Sequence, residues 1–359
     1  MKPKLLIIEL WGVGDLVIAT PFLRAAADRF AVTLIAKPFA SDLQVRFWPG
    51  VEVLPFDAPW TVFRNKYHVW RWPLGRMERL RQELAERRFD VGVSARWDPR
   101  DHLVLKLAEV RRRLGFPRAG SRNWLTDPLA RPEPAAHRYE YWRILARELG
   151  MDLPARERFP VGPRGRRGQV IVHSGARLPA RIWPLENYRR LLARIRGSGW
   201  EVKLLADDSQ TAWWRKVGEQ PVVPRSVSDL CVALEDGDVF VGNCSGPGHL
   251  AAILGLPTFT LFGASLPEWF LPLHPQAEYL EGPACPFRPC SDYCRFDEPR
   301  CLTGLQEEWA WQRIRSFLER RAPLGRLEVA VDADGSRPLP ILSPAGPCPN
   351  SDNAARPVL

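Results

Sequence analysis

Short runs of apolar, mostly β-branched residues recur in the first quarter of the chain: KLLIIEL from Lys4, VTLIA from Val32, VEVLPF from Val51 and DVGVSA from Asp90. After the first and third of these the pattern changes to helical periodicity, over Asp15–Phe30 and Leu74–Arg88. Apolar runs this short predict buried strands, and strands that alternate with helices predict parallel pairing. A further helix is predicted over His137–Leu149. From Asp152 to Gln169 (DLPARERFPVGPRGRRGQ) periodicity stops and Pro, Gly and Arg take over, which marks a linker. The alternation then restarts: QVIVH, a helix from Leu185 to Arg196, WEVKLLA, a short helix from Ser226 to Glu235, DVFVG, a helix after Gly248, PTFTLF, and an amphipathic helix from Leu305 to Arg320. The predicted class is therefore α/β, with one Rossmann-like parallel-sheet domain over residues 1–160 and a second over 165–321. Residues 322–359 form a Pro-rich tail too poor in apolar side chains to offset its ordering entropy, with a candidate strand at Leu327–Val331.

Length agrees with two domains, since 359 residues exceed the roughly 100–200 expected of one. No stretch approaches the ~18 continuous apolar residues of a membrane span. The start, MKPKLLIIELWGVGD, imitates a signal peptide, but Glu9 interrupts the apolar run and Asp15 stands where a cleavage site would form. The expectation is a buried first strand in a cytoplasmic protein. A net charge of +10 favours an anionic partner. The arginines are scattered among acids rather than gathered on one face with interleaved aromatics, which argues against a nucleic-acid reader; an ordinary solvated Arg-rich surface accounts for them, with a phosphorylated substrate or an acidic membrane face as the alternatives.

Seven cysteines are an odd number, so a disulfide framework is not expected. Cys285, Cys290, Cys294 and Cys301 are spaced C-x4-C-x3-C-x6-C. That set is compatible with structural zinc or an iron–sulfur centre, without the C-x2-C knuckles that would specify one. Four reduced thiols are the alternative. Cys231 reads as a helix core residue, and Cys348 lies in the tail.

In doubly wound sheets ligands bind beyond the carboxyl ends of the strands. The loops there are WGVGDLVIATP, HSGARLPARIWP, LADDSQ and GNCSGPGH. In the last, Asn243 and Ser245 can cap the following helix, while Gly246 and Gly248 open its backbone N–H groups to an anion such as phosphate. An ordinary capped turn would look the same. WGVGD is a poor dinucleotide fingerprint, with Val17 where a third Gly or Ala belongs and Lys37 where the acid after the second strand belongs, so NAD is disfavoured. Gly12 and Gly14 are read as a tight turn that brings Asp15 to the cleft at a helix start, where a general base can work, although an ordinary acid at a helix N-terminus reads the same locally. Asp207 and Asp208 read as turn acids, Trp183 and Pro184 as packing residues, and His249 as either structural or phosphate-facing.

Taken in order, WGVGDLVIATPFLRAAADRF, HSGARLPARIWPLENYRRLL and VFVGNCSGPGHLAAILGLPTFTLFGASLPEWF resemble the successive signatures of glycosyltransferase family 9, the ADP-heptose:lipopolysaccharide heptosyltransferases and their relatives. The resemblance runs from about Leu5 to Leu318. It implies a GT-B fold, two Rossmann-like domains facing across a cleft, and inverting transfer of a sugar, expected to be heptose, from ADP-heptose or another nucleotide-sugar to a lipopolysaccharide core or related glycan. It also implies that transfer needs no cofactor and that an anionic glycolipid acceptor brings the protein to the inner face of the membrane. By the same resemblance Asp15 is the base, Arg181 with Arg177 behind it meets the donor phosphates, and Asn243, Cys244, Ser245, Gly246, Pro247, Gly248 and His249 hold the donor. Two positions depart from the family pattern: Cys244 where an acid is usual, and Glu9 where a basic residue is common. A neutral thiol does not accept hydrogen bonds as a carboxylate does. Two readings follow, a transferase with altered donor preference and a catalytically impaired nucleotide-sugar binder.

Overall fold

The structure, a computed structural model, describes residues 2–62, 68–156, 168–290 and 293–321. Most of the predicted linker lies outside the described residues, as does the tail with its candidate strand and Cys348. The N-terminal half contains β1 (Lys4–Ile8), α1 (Val13–Arg29), β2 (Ala31–Ala36), α2 (Ala40–Phe47), β3 (Val51–Pro55), α3 (Leu74–Glu86), β4 (Val91–Ser94), α4 (Pro99–Leu107), β5 (Arg112–Gly115), β6 (Asp127–Pro128) and α5 (Arg138–Glu148). The C-terminal half contains β7 (Gln169–His173), α6 (Leu185–Gly197), β8 (Glu201–Leu205), α7 (Thr211–Lys216), α8 (Val227–Glu235), β9 (Val239–Asn243), α9 (Gly246–Ile253), β10 (Thr258–Phe262), α10 (Pro267–Phe270), β11 (Glu278–Glu281), α11 (Arg300–Thr303) and α12 (Glu307–Glu319).

The strands form two sheets, ordered β3-β2-β1-β4-β5-β6 and β11-β10-β9-β7-β8. Every pairing in both is parallel. Central strands are apolar on both faces because helices cover both, and Leu5–Ile8, Val170–Val172 and Val239–Val241 are fully buried. Residues 1–321 make one compact unit, and its apolar core is continuous from α1 and α5 to Phe240, Leu250 and Leu256 of the other half. No helix among the described residues is long and apolar enough to cross a membrane.

The halves also touch on either side of that core. Asp42 of α2 accepts the N–H groups of Val227 and Ser228 at 3.1 and 3.3 Å, capping α8 from the opposite half, and Arg46 pairs with Glu235. On the other flank Trp269 of α10 donates its indole N–H to Pro134 O at 2.7 Å. His137 Nδ1 accepts the Tyr139 N–H, so its Nε2 carries the proton and donates to Leu271 O at 2.9 Å.

Candidate active site

Strand order reverses between β1 and β4 in one sheet and between β7 and β9 in the other. Crevices at such switch points receive ligands. Here the two crevices oppose each other, and the helices that leave β1 and β9 meet at their first turns. A methyl group on Gly14 of α1 would stand 2.8 Å from Cδ2 of His249 in α9, and one on Gly246 would stand 3.1 Å from Cβ of Val13. Two helix N-termini, each the positive end of its dipole, thus share one small volume.

Asp15 sits in the first turn of α1, half-buried, with Oδ2 accepting the Gly12 N–H at 3.0 Å. Burial raises its pKa; that N–H and the guanidinium charges of Arg138, Arg96 and Arg181 oppose the rise. The cations come from both halves, so the carboxyl faces the crevice between them. Below it lies Glu9, buried, with Oε1 accepting the Trp11 N–H at 3.0 Å. Burial and the charge of Asp15 push Glu9 up to about 8, so it holds its proton at neutral pH.

Arg96, in the loop after β4, is buried 3.3 Å from Asp98 and 3.4 Å from Asp101, with its Cζ 4.9 Å from the Trp11 ring centroid. Its Nη1 has no hydrogen-bond partner among the described residues. Arg138, the first residue of α5, is boxed by rings of both halves, with Cζ 3.9 Å from the centroid of Trp97, 5.6 Å from Trp11, 5.4 Å from Tyr141, 5.1 Å from Trp269 and 5.6 Å from Phe270. Such contacts hold a guanidinium out of water without neutralising it. Lys37, after β2, is lowered to about 8 by burial and the charges of Arg177 and Arg96. Motif reading did not single out Arg96 or Arg138, and Lys37 entered it only as a missing acid. A basic residue directly after the DVGVSA strand was the one available signal for Arg96.

In the C-terminal half Arg177 is exposed and Arg181 half-buried on the loop after β7. Ser245 is the N-cap residue of α9, but its Oγ donates to Asn243 O at 3.2 Å, and no side chain among the described residues caps the helix. Pro247 follows in the first turn, and Gly248 and His249 are buried. Burial lowers His249 to about 4, which makes it neutral at physiological pH, and its Nδ1 has no partner among the described residues. Cys244 is buried, with its thiol pushed up to about 11. A cavity of about 500 Å³ opens beside this loop, lined by Phe39 and Asp42 from one half and by His173, Asp207, Asp208, Arg225, Val227 and Pro247 from the other. Asp207 lies 3.7 Å from His173 Nε2, which lowers its pKa. The two turn acids therefore face the crevice. Gly175 must lack a side chain there, because a methyl group would fall 2.3 Å from the Asp207 carboxylate.

Gly12 is the extended N-cap residue of α1, at φ −96°, and Gly14 lies in the first turn that carries Asp15. Gly14 is required for the close approach of His249. Asn243 does not face the crevice. Its Oδ1 accepts the Trp183 N–H at 3.0 Å and its Nδ2 donates to the carbonyls of Ser174 and Gly175 at 2.9 and 3.2 Å, so it clamps the loops that carry Arg177 and Arg181. Cys285, Cys290, Cys294 and Cys301 form no disulfide; burial and the neighbouring Cys290, Cys285 and Cys294 raise the Cys301 thiol, and no three His, Cys, Asp or Glu among the described residues are grouped to hold a metal ion.

The profile of glycosyltransferase family 9 (heptosyltransferase) matches residues 77–297. A lipopolysaccharide heptosyltransferase 1 from Pseudomonas aeruginosa is 27% identical over 340 residues, covering 85% of this chain and 92% of that protein. The E. coli ADP-heptose lipopolysaccharide heptosyltransferase II superposes with a TM-score of 0.66 at 18% identity, over 88% of this chain and 99% of that one. The E. coli heptosyltransferase WaaC, solved with ADP, gives 0.65 at 18% identity, over 89% and 99%. The fold is that of these GT-B enzymes, and the chain belongs to glycosyltransferase family 9.

Proposed function

We propose that this glycosyltransferase moves heptose from ADP-heptose to the core of lipopolysaccharide, with inversion, using Asp15 as base. The convergence of α1 and α9 on Asp15 carries the reading. The nucleoside lies in the cavity beside Asp207 and Val227, and the diphosphate lies against the start of α9, whose N-cap residue Ser245 makes no side-chain capping hydrogen bond. The sugar then points across the gap at Asp15. The acceptor hydroxyl oxygen attacks the anomeric carbon, its proton passes to the Asp15 carboxylate, and the bond from that carbon to the diphosphate oxygen breaks, with its electron pair leaving on ADP. Entry and departure on opposite faces invert the centre. Arg181, Arg177 and the α9 N–H groups meet the charge that develops on the leaving diphosphate. Neutral His249 adds a hydrogen-bonding edge without a further charge.

The Pseudomonas relative, by its name, supports the acceptor class. A lipid-anchored acceptor places the enzyme in the cytoplasm at the inner face of the membrane, a surface suited to a chain of net charge +10. The reading is tested by incubating the purified chain with ADP-heptose and heptose-deficient lipopolysaccharide. The expected result is an acceptor heavier by one heptose, with ADP released in equal amount. No product from ADP-heptose, with product from a different nucleotide-sugar, would overturn the donor assignment.

A further inference from the structure

The connection from β3 to α3 leaves the carboxyl edge of the N-terminal sheet, the same edge that carries Glu9–Asp15. Its ends are anchored. Trp60 packs on Phe56 and Trp72 with centroids 6.1 and 5.7 Å apart, and Arg100 lies over Trp60 at 6.0 Å. Arg100 also pairs with Asp98 at 2.6 Å, and Asp98 with Arg96 at 3.3 Å, so the connection rests on the loop that flanks the candidate active site.

Among the described residues of this connection and the start of α3, four apolar side chains stand out to solvent. Val62 is 47% exposed, Val69 54%, Trp70 73% and Leu74 64%. Trp70 is stacked on His68 at 4.8 Å, which fixes the indole with its other face in water. Arg71, Arg76 and Arg79 are exposed beside these side chains, and among the described residues none of the three pairs with a carboxylate. An indole and aliphatic groups interleaved with exposed arginines suit the headgroup boundary of an anionic bilayer, where the rings sit at the interface and each cation is attracted to lipid charge.

We propose that Val69, Trp70 and Leu74, with Arg71, Arg76 and Arg79, form the surface by which this protein docks on an anionic phospholipid membrane, setting the mouth of the cleft against the leaflet. This rests on the lipid-anchored acceptor proposed above. Both features lie on one sheet edge, so one orientation serves binding and presentation.

The test is co-sedimentation of the full chain with vesicles of 70% phosphatidylcholine and 30% phosphatidylglycerol, and with neutral phosphatidylcholine vesicles. The expected result is selective partitioning onto the anionic vesicles, weakened by salt. It should weaken about fivefold in Arg71→Gln, the loss of about 1 kcal/mol per cation near the surface, and at least tenfold in Trp70→Glu/Leu74→Glu. That double variant should keep its ADP-induced thermal shift and its turnover on a delipidated core oligosaccharide. Equal partitioning of the double variant, or no preference of the wild type for anionic vesicles, would overturn the docking surface even if heptose transfer is established. Loss of turnover on the delipidated acceptor would assign Trp70 to saccharide binding and likewise overturn it. Vesicle binding by a chain that transfers no heptose would uphold the surface and remove the heptose reading alone.

Discussion

Gly14 and His249, one from each half, touch so closely that a β-carbon on the glycine would lie 2.8 Å from the imidazole Cδ2. They belong to the first turns of α1 and α9, so this contact sets the gap between Asp15 and the donor loop. Gly14→Ala is expected to push the two turns apart and cut kcat at least tenfold, since displacements of about 1 Å at a reacting centre cost up to ~100-fold. Overpacking should also cost roughly 1–3 kcal/mol of stability. Gly12→Ala, whose added methyl meets its nearest atom, Asp15 Oδ2, at an ordinary contact distance of 3.5 Å, should leave stability near wild type. Steady-state kinetics and thermal unfolding of the two variants check the contrast.

Asn243 holds three backbone groups at once. Asn243→Leu would take a partner from the Trp183 N–H and the Gly175 carbonyl, at about 1–3 kcal/mol for each buried group left unpaired, while the Ser174 carbonyl keeps Gln210 Nε2 at 3.2 Å. The expected outcome is a large fall in melting temperature together with weaker ADP binding, because the loops bearing Arg177 and Arg181 lose their clamp. Calorimetry and ADP titration at a temperature where the variant is still folded separate the two effects.

Glu9 makes the fold pH-sensitive. Its pKa is about 8 in the folded protein against 4.5 for an exposed glutamate, so between those values the folded state binds more protons than the unfolded one. The stability this contributes is complete below 4.5 and is lost as pH rises through 8. Glu9→Gln, neutral at every pH, should flatten that slope and melt higher than wild type at pH 8, with the difference vanishing near pH 4.5. Melting curves from pH 4 to 9 test this.

Arg138 favours the ionised form of Asp15 from inside its aromatic box. Turnover should fall as pH drops through the raised pKa of Asp15, since only the carboxylate accepts a proton. In Arg138→Met that acid limb should move to higher pH. A pH–rate profile of kcat in both proteins reads the shift directly.

The sheet cores were legible in the sequence because their strands are uninterrupted apolar runs, and QVIVH coincides with β7. β5 was not, since its first two residues are Arg112 and Arg113, held at their positions by Asp127 and the Trp124 carbonyl rather than by burial of apolar side chains. α4 also escaped notice, because its buried face includes Asp101 and His102. Within the candidate site, Asp15 and the loop to His249 are legible as residues following strands, and Arg181 through the family resemblance alone. Arg138 is not: its ring partners come from positions 11, 97, 141, 269 and 270, and only tertiary packing brings them together. The contact of Gly14 with His249 is not legible, since a glycine kept for an interhelical contact and one kept for a turn look alike in one sequence.

The role of Asp15 is tested most directly by Asp15→Asn, whose amide oxygen can still accept the Gly12 N–H and so preserves the first turn of α1. Single-turnover transfer from ADP-heptose should slow by ~100- to 10,000-fold, the usual worth of a general base, while the thermal shift induced by ADP stays at the wild-type value. A variant that transfers heptose at close to the wild-type rate would contradict the account.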